Sequence, residues 1–220
     1  MVLGAINKHM IKIRAANTRG HLQRDWTESW RTFSNNSYWD PRYMNWNSIK
    51  VINDDTLQPG AKIPEHGHAN IEVLTYIISG ELQHWDSKTL TTSNVTVGTM
   101  QHMTCGSGIS HTEENIGQIP AHYVQIWVTP RDQNRTPAYE TINISPTFSQ
   151  ITVDVNQNVA IYAGTITTNV VISESNSYVY VVDGNCSVNG NQLSVGDGAD
   201  CSEAVTIVPE TTANILVFAI

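Results

Sequence analysis

The sequence predicts an all-β protein made of two small antiparallel, jelly-roll-like barrels in one chain. Three observations carry that prediction. Short β-prone runs recur between Gly, Pro and Asn punctuation along all 220 residues. No segment sustains a helical period for more than about two turns. Charge then changes at one point. All 12 Lys and Arg lie at or before Arg135, while eight acidic residues from Thr136 onward stand without a single Lys, Arg, His, Trp or Met. Such a shift marks two lobes with different surfaces. The chain is long enough for two cores, and the expected division is 1–138 and 139–220.

A first strand is expected at Met10–Arg14. From His21 to Trp46, four of the six tryptophans sit among Asn, Ser, Asp and Pro, which reads as an irregular, aromatic-packed stretch covering a barrel end. Strands follow near Ser48–Ile52, Ala69–Ser79, Leu82–Asp86, Val95–Val97, Met100–Cys105, Ile109–Glu114 and His122–Val128. Turn signals such as Gln58-Pro59-Gly60, Ser79-Gly80 and Gly106-Ser107-Gly108 separate them. Thr129–Pro146, with three prolines, reads as a linker. The second lobe shows strands at Val159–Tyr162, Asn169–Ile172, Tyr178–Val182, Val205–Val208 and Ile215–Phe218, and a hairpin at Asn189-Gly190.

Composition narrows the function classes. Twelve basic and twelve acidic residues make the first segment formally neutral, and the second carries the whole net charge of −8. Direct nucleic-acid binding is therefore not expected, because it needs clustered cations against phosphate. No run resembles a membrane span, and the apolar stretch at the start is too short for an export signal. The expected location is the cytoplasm. Three widely spaced cysteines, Cys105, Cys186 and Cys201, argue for reduced buried thiols rather than a disulfide framework.

The chemistry concentrates in two short pairs, His66-Gly67-His68 and His111-Thr112-Glu113, 45 residues apart. Residues i and i+2 of a strand share a face, roughly 6–7 Å apart. Two such pairs on opposite walls of a barrel can converge on one ion, and a mixed N/O donor set suits Fe(II), Mn, Ni, Cu or Zn. A lone strand histidine is ordinarily a surface or hydrogen-bonded residue. It is the joint pattern that marks His66, His68 and His111 as ligands. Glu72 and Glu113 both share strand parity with a histidine, so parity leaves the fourth ligand open between them. His9, His21, His102 and His122 have no partner at ligand spacing. A metal in the second lobe is not expected, since no histidine follows His122 and Asp183, Asp197 and Asp200 read as turn residues. Cys105 reads as a small buried residue, and Trp46 or Trp85 could stack on a substrate at a barrel mouth.

Gly60 ahead of His66, Glu72 after His68, and Gly106-Ser107-Gly108 ahead of His111 and Asn115 resemble the two cupin motifs. More specifically, the chain resembles the pirin family, in its bacterial quercetin 2,3-dioxygenase-like branch. The resemblance rests on Trp30-Arg31-Thr32-Phe33-Ser34, Val51-Ile52-Asn53-Asp54-Asp55, His66-Gly67-His68, Gly80-Glu81-Leu82-Gln83-His84-Trp85-Asp86, Ser110-His111-Thr112-Glu113 and Gln125-Ile126-Trp127. It is close from about Met10 to Glu140 and rests on strand pattern alone beyond. It implies a bicupin whose chain starts near Met10, making residues 1–9 an extension.

The same resemblance chooses Glu113 as the fourth ligand and general base. It leaves Glu72 as an outer residue orienting a ligand imidazole, or part of the pocket wall. It leaves His84 as a residue that lines the pocket or a satisfied structural histidine. It further implies one divalent transition metal per chain, Fe(II) first and Zn, Mn, Ni, Cu or Co as alternatives. The implied reaction is ring opening of a flavonol such as quercetin by O2. The other role it implies is non-enzymatic, as an iron-binding, redox-responsive regulator acting on a protein partner. A monomer is the expected state.

Overall fold

The computed structural model describes residues 11–220, so the expected extension at 1–9, with His9, and Met10 of the first strand lie outside the described residues. The strands are β1 (Ile11–Arg14), β2 (Gly20–Arg24), β3 (Thr27–Arg31), β4 (Ile49–Leu57), β5 (Lys62–His68), β6 (Glu72–Ser79), β7 (Glu81–Asp86), β8 (Thr92–Thr96), β9 (Thr99–Thr104) and β10 (Ile109–Glu114). They continue with β11 (Ala121–Val128), β12 (Ala138–Asn143), β13 (Ser149–Ile151), β14 (Ala160–Ile166), β15 (Val170–Ile172), β16 (Ser177–Val188), β17 (Asn191–Leu193), β18 (Gly198–Cys201) and β19 (Val205–Ala219). Among the described residues no helix is long and apolar enough to cross a membrane.

Three antiparallel sheets result. In the first lobe a four-stranded sheet, β5-β10-β7-β8, faces a seven-stranded one, β12-β9-β6-β11-β4-β3-β2. An eight-stranded sheet ordered β1-β18-β16-β19-β14-β13, with β15 on β19 and β17 on β16, forms the second lobe. The all-β, two-lobed architecture expected from the sequence is present. The ends cross over: β1 pairs with β18 in the second lobe's sheet, and β12 pairs with β9 in the first.

The period-2 rule assigns each face. On the seven-stranded sheet Ile52, Leu74, Tyr76, Val124 and Ile126 point one way, into a core shared with Tyr178, Tyr180, Val182, Leu216 and Phe218 of the second lobe. The intervening residues, among them Asn53, Asp55, Tyr123 and Gln125, point into the first lobe's cavity. In β16 the odd positions Val179 and Val181 enter a separate core inside the second lobe. Register shifts after Val181 and Gly184 then turn Cys186 and Val188 into that core as well.

Three sequence expectations need correction. The stretch His21–Trp46 is not wholly irregular, because β2 and β3 form a hairpin at the sheet edge. Its residues, Gly-His-Leu-Gln-Arg and Thr-Glu-Ser-Trp-Arg, offer too few apolar positions to be read as strands. The linker likewise contains a strand, β12, an edge strand that follows Pro137 and runs along β9. The expected strands Val205–Val208 and Ile215–Phe218 are one, β19, whose Pro209 sits opposite Cys186 at the bulge, where a missing N–H is tolerated. At Asn189-Gly190 both residues have positive φ, 46° and 81°, as a two-residue hairpin turn requires. All three cysteines are buried and free.

Candidate metal centre

His66 and His68 lie on β5, and His111 lies on β10 directly opposite His66. Between His111 and Glu113 the register shifts, so that β5 carries one residue more than β10. The extra residue falls at Pro64-Glu65, and a bulge at this point re-aims the side chain beside it. His66 Nδ1 lies 2.9 Å from the Pro64 carbonyl oxygen, which leaves Nε2 for another partner. Donor atoms of the three imidazoles come within 4.8 Å of one another. Their rings stand 4.4 to 5.0 Å apart.

Burial makes this cluster a receptor for a cation. His111 is fully buried, and neither of its ring nitrogens has a hydrogen-bond partner. Each such orphaned group costs about 1–3 kcal/mol unless something takes it up. Burial, then the neighbouring His66, pushes the His68 imidazole down to about 4. Burial, followed by His66, His68 and His84, pushes His111 down to about 2. Both rings are therefore neutral at physiological pH with lone pairs available, the form a metal needs. The donor set fits a first-row transition ion.

Glu113 follows on β10 and lines the same cavity, of about 700 Å³, between the two sheets of the first lobe. Its carboxylate is not among the three donors that converge. Gln125 Nε2 donates to Glu113 Oε1 at 2.9 Å, and Trp127 Nε1 donates to Gln125 Oε1 at 2.9 Å. Burial, then the charge of Asp55, pushes the Glu113 carboxyl up to about 7, with the Gln125 hydrogen bond opposing. Asp55 is itself pushed up to about 7 by burial, against the pull of the Ser29 hydroxyl.

Glu72 lies elsewhere. The turn through Asn70, at φ +54°, interrupts the alternation between β5 and β6, so even-numbered positions face opposite sides before and after it. Glu72 shares the face of Leu74 and Tyr76, away from the cavity. Thr104 Oγ1 donates to it at 2.6 Å, His102 Nε2 stands at 2.9 Å and Arg135 Nη1 donates at 3.1 Å. None of these hydrogen bonds reaches His66, His68 or His111. His102, expected to have no site role, is the centre of this network, between Glu72 and Glu140.

His84 on β7 is buried, 5.3 Å from the His111 ring, stacked on Tyr139 at 4.2 Å and 3.3 Å from Asp86 Oδ2. His21 and His122 pair with Glu28 and Asp54. Trp46 is buried between the lobes, donating to Asp200. The tryptophans that line the cavity are Trp26 and Trp127, the latter 4.9 Å from the His68 ring. Gln125, Trp127 and Asp55 were not singled out from sequence. For Gln125 and Trp127 the available signal was inward parity on a mostly apolar strand, whereas Asp55 sits in the polar run Asn53-Asp54-Asp55, which gave none.

The pirin family model matches residues 12–128, and a model described as the quercetinase C-terminal cupin domain matches 143–220. A protein named quercetin 2,3-dioxygenase from Escherichia coli K12 is 32% identical over 95% of this chain and 98% of its own. A pirin-like protein of Caulobacter vibrioides is 29% identical over 90% and 93%. Among solved structures, the bacterial pirin YhhW of Escherichia coli in complex with nickel(II) has a TM-score of 0.91 at 30% identity, covering 96% of this chain and 99% of that one. With its first lobe matched almost end to end and 95% of its length covered by a relative 32% identical, this chain belongs to the pirin family.

Proposed function

We propose that the protein is a metal-dependent dioxygenase that opens the ring of a flavonol such as quercetin with O2. One divalent ion would be held by His66, His68, His111 and Glu113 in the lobe up to residue 138, with 139–220 as a metal-free structural lobe. The observation that carries this reading is the convergence of three neutral imidazoles, one of them wholly without partners, beside a carboxyl in a cavity large enough for a small aromatic. The relatives named quercetin 2,3-dioxygenase support the substrate class, and the nickel(II) complex of a relative supports a metal in this fold. Fe(II) remains the first choice of ion, and Zn, Mn, Ni, Cu or Co would suit the same donors.

When bound, the metal would supply a positive centre that polarises the flavonol 3-oxygen. Glu113 accepts the proton of the 3-hydroxyl. Its carboxyl is buried on the cavity wall that His66 and His68 also line, where a base for that proton is needed. Gln125, itself tied to Trp127, fixes one Glu113 oxygen and so its direction. His84, clamped by Tyr139 and Asp86, backs the His111 ring. Trp127 gives the cavity an aromatic wall beside His68.

Protein loaded anaerobically with Fe(II) should bleach quercetin on addition of oxygen, with release of carbon monoxide. A flavone without the 3-hydroxyl should be inert, and Glu113→Gln should lose metal and turnover together. Absence of turnover by fully metallated protein would discard the enzymatic reading in favour of a metal-dependent regulator.

A further inference from the structure

The cavity has a second polar end that the chemistry above does not use. Across from the histidines, on the facing sheet, Asp55 and Asn53 of β4 and Ser29 and Arg31 of β3 line the same space. Cross-strand register places them side by side, Ser29 opposite Asp55 and Arg31 opposite Asn53. Ser29, Arg31 and Asn53 are each only 7% exposed. A barrel interior is ordinarily apolar, so this much buried polarity calls for partners. Some are supplied within the chain: Arg31 Nη1 donates to Ser37 Oγ and the Asn35 carbonyl, and Asn35 Nδ2 donates to Asn53 Oδ1. Of the four lining residues two buried atoms are left over, Arg31 Nε and Asp55 Oδ1, besides Asn35 Oδ1, which does not line the cavity. One is a cationic donor and the other a carboxyl oxygen. A group that can satisfy both must accept and donate, as phenolic hydroxyls do.

Facing sheets stand about 10 Å apart, a gap that a flat two- or three-ring aromatic can bridge from the histidines to this end. Resting on the flavonol reading above, we infer that Asp55 and Arg31 form a subsite that binds the hydroxylated ring of the substrate remote from the metal. The preferred substrate then carries adjacent hydroxyls on that ring. A site built to hydrogen-bond a hydroxyl discriminates strongly against analogues lacking it, because its own groups are left unpaired. Asp55 is only half-buried, so the discrimination is set at about 10–100-fold rather than the larger factors of closed sites.

Isothermal titration calorimetry on Zn(II)-loaded protein tests this without turnover. The probes are quercetin, with two adjacent hydroxyls on the remote ring, kaempferol, with one, and galangin, with none. All three keep the 3-hydroxyl. The wild type should bind them in that order, with quercetin at least about tenfold tighter than galangin. Asp55→Asn, which keeps the shape but removes the carboxyl acceptor, should bring the three within about threefold of one another, because any change transmitted to Glu113 acts on all three alike and only quercetin and kaempferol lose the remote contact. Arg31→Lys, which lacks Nε–H, should do the same through the other group. Equal binding of quercetin and galangin by the wild type overturns the subsite and leaves the flavonol reading intact. So does an undiminished preference in both variants. No binding of any flavonol overturns both.

Discussion

Glu72→Gln separates two carboxylates that strand parity alone could not rank. Glu72 is fully buried and receives Arg135, Thr104 and His102. The substitution keeps the volume and removes the charge, leaving two cationic partners short of their counter-ion. Breaking a buried ion pair costs about 3–5 kcal/mol. Arg135 is 29% exposed and keeps its contact with Asp154, and His102 keeps Glu140, so solvent and second partners reduce the loss to about 2–3 kcal/mol. For a chain of this size that is roughly 4–12 °C in Tm.

The loss should depend on pH. Burial alone would lower the His102 pKa, but its hydrogen bonds to Glu72 and Glu140 win and raise it above 6.5. A raised folded-state pKa gives stability that is complete below the unfolded value and is lost as pH climbs through the folded one. The gap between wild type and variant, followed by circular dichroism melts, should therefore be wider at pH 6 than at pH 9. Metal content should be unchanged. A variant that melts normally but no longer binds metal would refute the reasoning and make Glu72 the fourth ligand.

Replacing His66 and His68 together by Ala should abolish binding of the single metal ion, and with it the thermal stabilisation that an ion at 100 times its Kd gives the wild type, about 2.7 kcal/mol. Two tightly bound ions per wild-type chain would contradict the metal-free second lobe. Gly106, at φ +46°, has the Arg135 carbonyl where a Cβ would sit, whereas Gly190, at φ +81°, has open space. Gly190→Ala should cost only the left-handed penalty of about 1 kcal/mol. Gly106→Ala should cost about 3 kcal/mol or more and loosen the Arg135 strap over Glu72, as denaturant melts of the two variants would show.

The three histidines were legible because a strand fixes the direction of i and i+2 side chains without help from the rest of the fold. The same rule misled at Glu72, since it holds only while the strand continues and Asn70 interrupts it. Strands built from apolar runs, such as β6, β11 and the core of β16, were visible for the same reason. Edge strands β2 and β12 were not, because one partner and one solvated face leave little apolar signature. The polar cavity residues show why a site is harder to read than a core. Asn53 and Asp55 stand inward on β4 in a run, Val-Ile-Asn-Asp-Asp-Thr, that looks like the polar end of a strand. Only the pairing of β4 with β3 and β11 brings Arg31, Ser29 and Gln125 beside them.

The second lobe carries none of the proposed ligands, yet the first should not hold its metal without it. Ten side chains of the first lobe, among them Phe33, Trp46, Leu74, Tyr76 and Ile126, are buried in the core shared with the second. At roughly 1.5–3 kcal/mol for each fully buried large side chain, uncovering even half of that surface rivals the 5–15 kcal/mol that keeps a typical domain folded. The chain crossings add to this. A cut between residues 138 and 139 takes β12 from the edge of the seven-stranded sheet and strands β1 without β18. It also separates Arg19 and Asp54 from Tyr180, whose hydroxyl donates to Asp54 at 2.9 Å. Fragment 1–138 expressed alone should therefore show no cooperative melt and no stoichiometric metal binding, while co-expression with 139–220 should restore both. A lone first fragment that melts cooperatively and binds one ion would show that the shared core is dispensable to the metal centre.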